Sequence, residues 1–291
     1  MFTALRRSYH IFRESLTVLM KDSELLIFPL LSGVFTIIAL GGMVFGGYIT
    51  GFFQKWAASG DHSLQGNLMG YAALFVWYFV SWFIVLFFNV AIIHCAKMRL
   101  DGGDPTVADG FRASMQHLGR IATWALISAT VGLILRIIAE RAKFVGALIA
   151  RFLGAAWAIA TYFIVPVMIF EKRSLKDSVT QSTQLIAKTW GESLIAVAGV
   201  GAFSMLLILP SFAMPIVGLM ISVEAFLGGL LAMVIYWIGL AIVTSALSGI
   251  FRTALYLYAA EGRSPEGFSP DFVQHAFAPK GGKAAALQTA V

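Results

Sequence analysis

The chain has 291 residues, of which 59% are apolar and only 12% are charged, and its formal net charge is +6. Soluble domains carry roughly 25% charged and about 45–50% apolar residues, so this composition excludes an ordinary soluble domain and indicates a membrane protein. The single cysteine, Cys95, excludes a disulfide within this sequence and a cysteine-based metal cluster.

Six segments are apolar over the length of about 20 residues that is needed to cross the hydrocarbon core of a bilayer. They are residues 25–53, 70–96, 121–140, 144–170, 191–214 and 223–259. Breaks between the members of each pair are expected at 60–67, at 140–143, and at a turn bracketed by Pro210 and Pro215. The sequence therefore predicts an all-α polytopic membrane bundle of six transmembrane helices arranged as three hairpins.

Each hairpin is preceded by a stretch in which apolar residues recur at helical spacing. The three stretches are residues 3–20, 104–120 and 174–190. On the third stretch, steps of four and three residues place Leu175, Val179, Ser182, Ile186 and Thr189 on one face. We therefore expect an amphipathic helix before every hairpin.

Capping residues mark where two of these helices begin. Ser174 with Asp177 forms a capping-box pattern, whereas Asp104 is suited to be an N-cap with Pro105 as the first helical residue. Because caps, position and spacing agree, the sequence predicts three copies of one unit. The alternative is coincidence, since amphipathic linkers are common in polytopic proteins.

The repeat defines the expected domain organisation. The three units cover about residues 1–98, 104–170 and 174–260 and belong to a single membrane domain, residues 1–277. The tail that follows, residues 278–291, is rich in Gly, Ala and Lys and is expected to be disordered.

The distribution of Lys and Arg predicts the orientation. With the N-terminus in the cytoplasm, 16 of the 21 basic residues lie on the cytoplasmic side. The positive-inside rule therefore favours cytoplasmic N- and C-termini. The amphipathic helices would then lie on the cytoplasmic surface, where anionic lipid attracts each nearby cation by about 1 kcal/mol. Anionic headgroups are the expected partners, and nucleic acid is not, because no basic and aromatic residues interleave.

Charged residues collect on the opposite side, at the turn of the second hairpin. They are Arg136, Glu140, Arg141, Lys143 and Arg151. Charges at a membrane boundary are by default a functional hypothesis, and this positive cluster would suit an anion, a lipid phosphate or an acidic partner. The alternative is that the basic side chains snorkel to the headgroups.

Three polar residues are candidates for lining a solute pathway. Asn89 lies deep in the second span, where the alternative role is a hydrogen bond between helices. His94 follows near the predicted cytoplasmic end of that span. Glu224 lies in the first turn of the last span, where favourable interaction with the helix dipole is the alternative. Pro166 predicts a kink in the fourth span, which would serve as a hinge or help packing.

Pairs of glycines four residues apart occur in the first span. They are Gly42 with Gly46 and Gly47 with Gly51. Small residues at this spacing let helices approach closely, either within the chain or in a homo-oligomer.

Three phrases of the sequence carry a family resemblance: KDSELLIFPLLSG (21–33), NVAIIHCAKMRLDGGDPTVADGF (89–111) and VPVMIFEKRSLKDSVTQS (165–182). On these phrases the chain resembles uncharacterised bacterial six-helix inner-membrane families. Their layout is similar to that of the membrane domain attached to some glycerophosphodiester phosphodiesterases. The resemblance implies a membrane-embedded module of the bacterial inner membrane and carries over no catalytic residue, metal or cofactor.

The sequence contains no HExxH, GxSxG or Gly-rich phosphate loop, and its five histidines lie in different segments. We therefore expect a protein that is not an enzyme and has no cofactor. The preferred hypothesis is a channel or transporter of small ions or solutes. The alternative is a non-catalytic lipid-binding or membrane-organising scaffold module.

Overall fold

A computed structural model describes residues 13, 15–52, 54, 64–141, 143–171, 173–188, 205 and 207–262. Within these ranges the chain forms helices and turns and contains no strand, which confirms the predicted all-α class. The tail at 278–291 and most of the amphipathic stretch predicted at 3–20 lie outside the described residues.

Nine α-helices are considered below. In chain order, they are α1 (Ile27–Ile49), α2 (Leu64–Leu100), α3 (Val107–Gln116), α4 (Leu118–Arg141), α5 (Lys143–Ala160), α6 (Ile164–Phe170), α7 (Leu175–Lys188), α8 (Ala213–Leu219) and α9 (Val223–Glu261). Short 3-10 turns at Ser23–Leu26 and Leu209–Phe212 lead directly into α1 and α8.

Five segments of the described chain are long and apolar enough to cross a membrane. They are Ser23–Ile49, Leu68–Leu100, Leu118–Glu140, Val145–Phe170 and Val223–Glu261. They coincide with five of the six predicted spans and give the pattern of a multi-pass membrane protein. The remaining prediction, 191–214, lies mostly outside the described residues, so the six-span hairpin layout stays a prediction.

The turn before the last span differs from the prediction. Pro210 lies in the 3-10 turn and Pro215 lies inside α8, so the chain reverses later, at residues 220–222. A proline in the first turn of a helix is tolerated because the N–H that it lacks would have no helical acceptor there. Both prolines therefore start helical turns and do not bracket the reversal.

Two glycines let α8 and α9 pack backbone against backbone. A Cβ atom added at Gly229 would lie 2.6 Å from the carbonyl oxygen of Met214, and one at Gly218 would overlap the carbonyl of Ala225. Real side chains do not tolerate such distances. The hairpin therefore depends on glycine at both positions.

The helix α9 has two environments along its 39 residues. Its N-terminal part exposes large apolar side chains from Val223 to Ile238, whereas side chains between Ala246 and Leu257 are buried. The helix ends at Gly262, whose φ of 67° is the left-handed conformation that glycine adopts without strain.

The chain forms two compact units. The central unit comprises Ser23–Met98 and Asp104–Gln184. The terminal unit comprises the described parts of Met1–Asp22, Arg99–Gly103 and Leu185–Val291.

The core of the central unit lies where the C-terminal part of α2, the N-terminal part of α4 and the whole of α6 meet. Its buried members are Leu86, Val90, Ile93, Ile121, Trp124, Ala125, Ile164, Val165, Met168 and Ile169. Leu175 and Val179 of α7 pack against this core, so two residues of the face predicted from the sequence contact protein. The rings of Trp124 and Trp157 stack at its edge, with centroids 5.6 Å apart.

The start of α7 was predicted correctly and the start of α3 was not. The Oγ of Ser174 accepts from the amide of Asp177 at 3.2 Å, as the capping-box pattern requires. For α3 the N-cap is Thr106, not Asp104, because Thr106 and Asp109 form a reciprocal capping box. Pro105 consequently precedes the helix.

Candidate functional site

The charged cluster of the second hairpin contains one defined ion pair. Arg136 and Glu140 lie one turn apart on α4, and the Nε of Arg136 donates to the Glu140 carboxylate. The hydroxyl of Tyr71 on α2 donates to the same carboxylate at 3.1 Å. Arg136 is therefore neutralised within its own helix, and Glu140 links the ends of α4 and α2.

Of the other three basic residues of the cluster, the structure describes the side chain of Arg151 alone. Arg141 ends α4 and Lys143 begins α5, and their side chains lie outside the described part of the structure. Arg151 is exposed on α5. The structure thus joins Arg136 with Glu140 and places Arg151 on an open helix face.

Asn89 is half-buried on α2. Its Nδ2 donates to the carbonyl of Val85, one turn earlier on the same helix, at 2.8 Å. The hydrogen bond shown is thus within a helix, whereas the alternative considered from the sequence was a bond between helices. An amide that is satisfied in this way can remain inside an apolar span.

His94 is half-buried five residues after Asn89, and its charged neighbours include Asp109 and Lys97. The pKa of the Asp109 carboxyl lies below its ordinary value of 3.8, chiefly because the Thr106 hydroxyl donates a hydrogen bond to it. The backbone N–H of Thr106 also contributes, and Arg112 contributes more weakly. The carboxylate form of Asp109 is therefore the form that completes the capping box with Thr106.

Glu224 belongs to the terminal unit, whereas Asn89 and His94 belong to the central unit. It is exposed in the first turn of α9. The Oγ of the preceding Ser222 caps the helix by accepting from the amide of Ala225 at 3.1 Å. This position agrees with the dipole interaction that was the alternative for Glu224.

The fourth span is interrupted where the proline predicted a kink. Residues 161–163 form turns between α5 and α6, and Pro166 follows in the first turn of α6. At the interruption the amide of Tyr162 bonds to the carbonyl of Ile159, and that of Ile164 to the carbonyl of Thr161. These tighter i to i−3 bonds take the chain out of regular α-helical geometry.

The hydrogen bond that completes this interruption comes from another helix. The backbone N–H of Phe163 donates to the Oγ of Ser182 on α7 at 3.1 Å. Phe163 and Ser182 are both fully buried. An unpaired amide in such a place costs about 1–3 kcal/mol, so Ser182 stabilises the broken conformation of the span.

The corresponding serine of α3 makes a different bond. Ser114 is the eighth residue of α3, as Ser182 is of α7, and it is also fully buried. Its hydroxyl donates to the carbonyl of Phe87 in the uninterrupted helix α2 at 2.7 Å. Both short helices therefore contact a segment long enough to cross the membrane through a buried serine at the same position.

Two further contacts were not foreseen from the sequence. The guanidinium of Arg120 donates to the carbonyl of Met168 in α6 at 2.6 Å. In the terminal unit, the Nε of Arg99 lies 3.0 Å from the Asp22 carboxylate, which is only 6% exposed. Arg99 and Arg120 are two of the basic residues that the positive-inside count assigns to the cytoplasmic side. The polar Ser182 in the apolar face of α7 was the one available signal for its contact.

Among the residues that the structure describes, no three His, Cys, Asp or Glu side chains come together in a way that could hold a metal ion. The candidate site is accordingly defined by a backbone interruption and its hydrogen bonds.

A protein-family model described as a family of unknown function, DUF6159, matches residues 68–268. The match covers more than half of the 291 residues. The chain belongs to DUF6159. The matched region of this DUF6159 member contains the interrupted span, Ser182 and the Arg136–Glu140 pair. The family match confirms the predicted membership of an uncharacterised family. The similarity to the phosphodiesterase membrane domain stays a prediction. No curated protein and no solved structure matches the chain.

Proposed function

We propose that this DUF6159 protein is a channel or transporter of small ions or solutes, and that the interrupted fourth span is its moving element. The observation that carries the proposal is the turn at residues 161–163 inside a segment long enough to cross the bilayer. Irregular backbone at membrane depth is tolerated only where protein buries it or where it lines a water-filled cavity. Discontinuous helices of this kind recur at the solute sites of transporters.

The two parts of the span are suited to move relative to each other. Residues Ile164 to Ile169 of α6 are all buried, so α6 is held by the core of the central unit. Several large side chains of α5, including Val145, Phe152 and Leu153, are exposed. A hinge at residues 161–163 would let α5 tilt while α6 stays in place.

The proposed orientation follows the distribution of basic residues, with both termini in the cytoplasm of a bacterium and the chain in its inner membrane. The pair of Arg136 and Glu140 would then lie on the outer side. Since that pair is internally neutralised, the exposed Arg151 is the better candidate for attracting an anion or a lipid phosphate. The proposed activity is non-catalytic, requires no cofactor and allows for a homo-oligomer.

A second candidate function is a lipid-binding or membrane-organising module. The observation that favours it concerns exposed side chains of α3 and the first residue of α4. Arg112 is 70% exposed, and Met115 and Leu118 are exposed beside it. A cation next to apolar side chains fits the boundary between headgroups and acyl chains.

Flux from proteoliposomes tests the proposal. Vesicles loaded with potassium chloride or potassium phosphate are compared for wild type, Pro166→Ala and protein-free controls. Pro166→Ala restores an N–H that can bond to the carbonyl of Tyr162, so it should straighten the span and reduce flux several-fold. Flux at the protein-free level for every solute would contradict a channel for these ions. Tight retention of anionic lipid by the same preparation, measured by native mass spectrometry, would then favour the second candidate.

A further inference from the structure

We propose that Ser182 is the latch of the hinge in the fourth span, and that α7 controls the hinge by holding or releasing the amide of Phe163. The latch is a conformational property of the central unit. Only its consequence for solute movement rests on the proposed function.

The first line of support is that this amide needs an acceptor from outside its own helix. The residues on either side of Phe163 bond locally, Tyr162 to Ile159 and Ile164 to Thr161. The amide of Phe163 bonds instead to Ser182, which is 19 positions further along the chain. Because both residues are fully buried, water cannot replace the serine while the core remains closed.

The second line of support is the contrast with α3. Ser114 donates to the carbonyl of Phe87, which lies within the continuous helix α2. If the Ser114 hydroxyl is removed, the carbonyl of Phe87 can still accept a hydrogen bond within helix α2. Removing the Ser182 hydroxyl removes the acceptor that the structure shows for the buried N–H of Phe163. The two serines occupy the same position in their helices, but only Ser182 is bonded to an interruption.

The third line of support is where α7 lies. Its Leu175 and Val179 contact the core, and its Ser182 contacts the break. Polar side chains such as Thr180 and Gln184 are exposed on the opposite face. Displacement of this exposed helix would therefore withdraw the acceptor directly from the hinge.

Hydrogen exchange of the Phe163 amide tests the latch. The protein in lipid nanodiscs is exchanged, digested and analysed by mass spectrometry with overlapping peptides across residues 158–168. In Ser182→Ala, exchange at Phe163 should become at least about tenfold faster, because the amide loses its acceptor. In the matched control Ser114→Ala, exchange at Phe163 should stay within about twofold of wild type. No acceleration in Ser182→Ala, or equal acceleration in both variants, would overturn the latch.

A second variant distinguishes the loss of this hydrogen bond from a general destabilisation of the central unit. Pro166→Ala should allow a continuous helix, in which the amide of Phe163 bonds to the carbonyl of Ile159. The double variant Pro166→Ala/Ser182→Ala should then regain the protection that Ser182→Ala loses. If the double variant exchanges as fast as Ser182→Ala, the serine does not act through the interruption and the proposal fails.

Flux measured on the same variants separates the latch from the function. If the wild-type protein shows no flux but exchange is accelerated in Ser182→Ala, the result would contradict the proposed function and support the latch. If the wild-type protein shows flux but exchange is unchanged in Ser182→Ala, the result would support the proposed function and contradict the latch. Altered flux together with accelerated exchange in Ser182→Ala supports both.

Discussion

Asp22 and Arg99 form an ion pair of 3.0 Å that joins the residue before the first span to the end of the second, 77 positions later in the chain. Asp22 is almost completely buried and Arg99 is about one-fifth exposed. A buried carboxylate of this kind is stable only with its partner in place.

Replacing Asp22 with Ala should destabilise the protein by about 3 kcal/mol, because it removes one member of a largely buried pair. The measurement is the midpoint of thermal unfolding in nanodiscs. Lys21→Ala is the matched control, since Lys21 is exposed and adjacent, and it should change stability by less than about 0.5 kcal/mol. Equal midpoints for the two variants would show that the pair contributes little.

The contact between α8 and α9 predicts a strong difference between two neighbouring glycines. Gly229→Ala should cost about 1–3 kcal/mol, because its Cβ would collide with the carbonyl of Met214. Gly228 has open space around it, so Gly228→Ala should be neutral or stabilise the helix by up to about 1 kcal/mol. The measurement is the midpoint of thermal unfolding of each variant, compared with that of wild type. A Gly229→Ala variant as stable as Gly228→Ala would contradict the close backbone approach.

The capping box of α3 predicts a pH dependence. Thr106 lowers the pKa of Asp109, so the stabilisation is complete above the unfolded pKa of about 4 and is lost as the pH falls through the lower folded value. A titration of the Asp109 carboxyl by NMR should give a midpoint below 3.8, the ordinary value. Thr106→Ala should move the midpoint upward. A wild-type midpoint at the ordinary value would exclude the capping effect.

The charged cluster predicts that Arg136 and Arg151 differ in their effect on flux. Under the proposed function, Arg151→Ala should lower the preference for chloride over potassium, because it removes an exposed positive charge. Arg136→Ala should have a smaller effect, because Arg136 is already paired with Glu140. Reversal potentials in planar bilayers measure both. Identical preferences in wild type and Arg151→Ala would remove this residue from ion selection.

Much of the helical layout could be predicted because hydrophobicity over about 20 residues is a local property. The start of α7 could also be predicted from local sequence, since the residues of its cap, Ser174 and Asp177, are three positions apart. The start of α3 was ambiguous, because Asp104 and Thr106 are both good N-cap residues and only the side-chain geometry of Thr106 with Asp109 selects between them.

Contacts between distant segments could not be predicted in the same way. Nothing near Asp22 in the sequence indicates Arg99 as its partner, and nothing near Phe163 indicates Ser182. The kink at Pro166 followed from the missing N–H of proline, but the acceptor for the amide of Phe163 depends on how α7 packs. A serine within the apolar face of α7 was a signal that this face meets a polar group.

The length of α9 has a mechanical consequence. A straight helix of 39 residues extends about 58 Å, nearly twice the hydrocarbon thickness of about 30 Å. Its apolar, exposed half must match the bilayer, while its other half is enclosed by protein. A change in bilayer thickness would tilt the exposed half, and the rigid rod would carry that tilt into the enclosed half. The exposed half is therefore the part of the last span whose tilt depends directly on bilayer thickness.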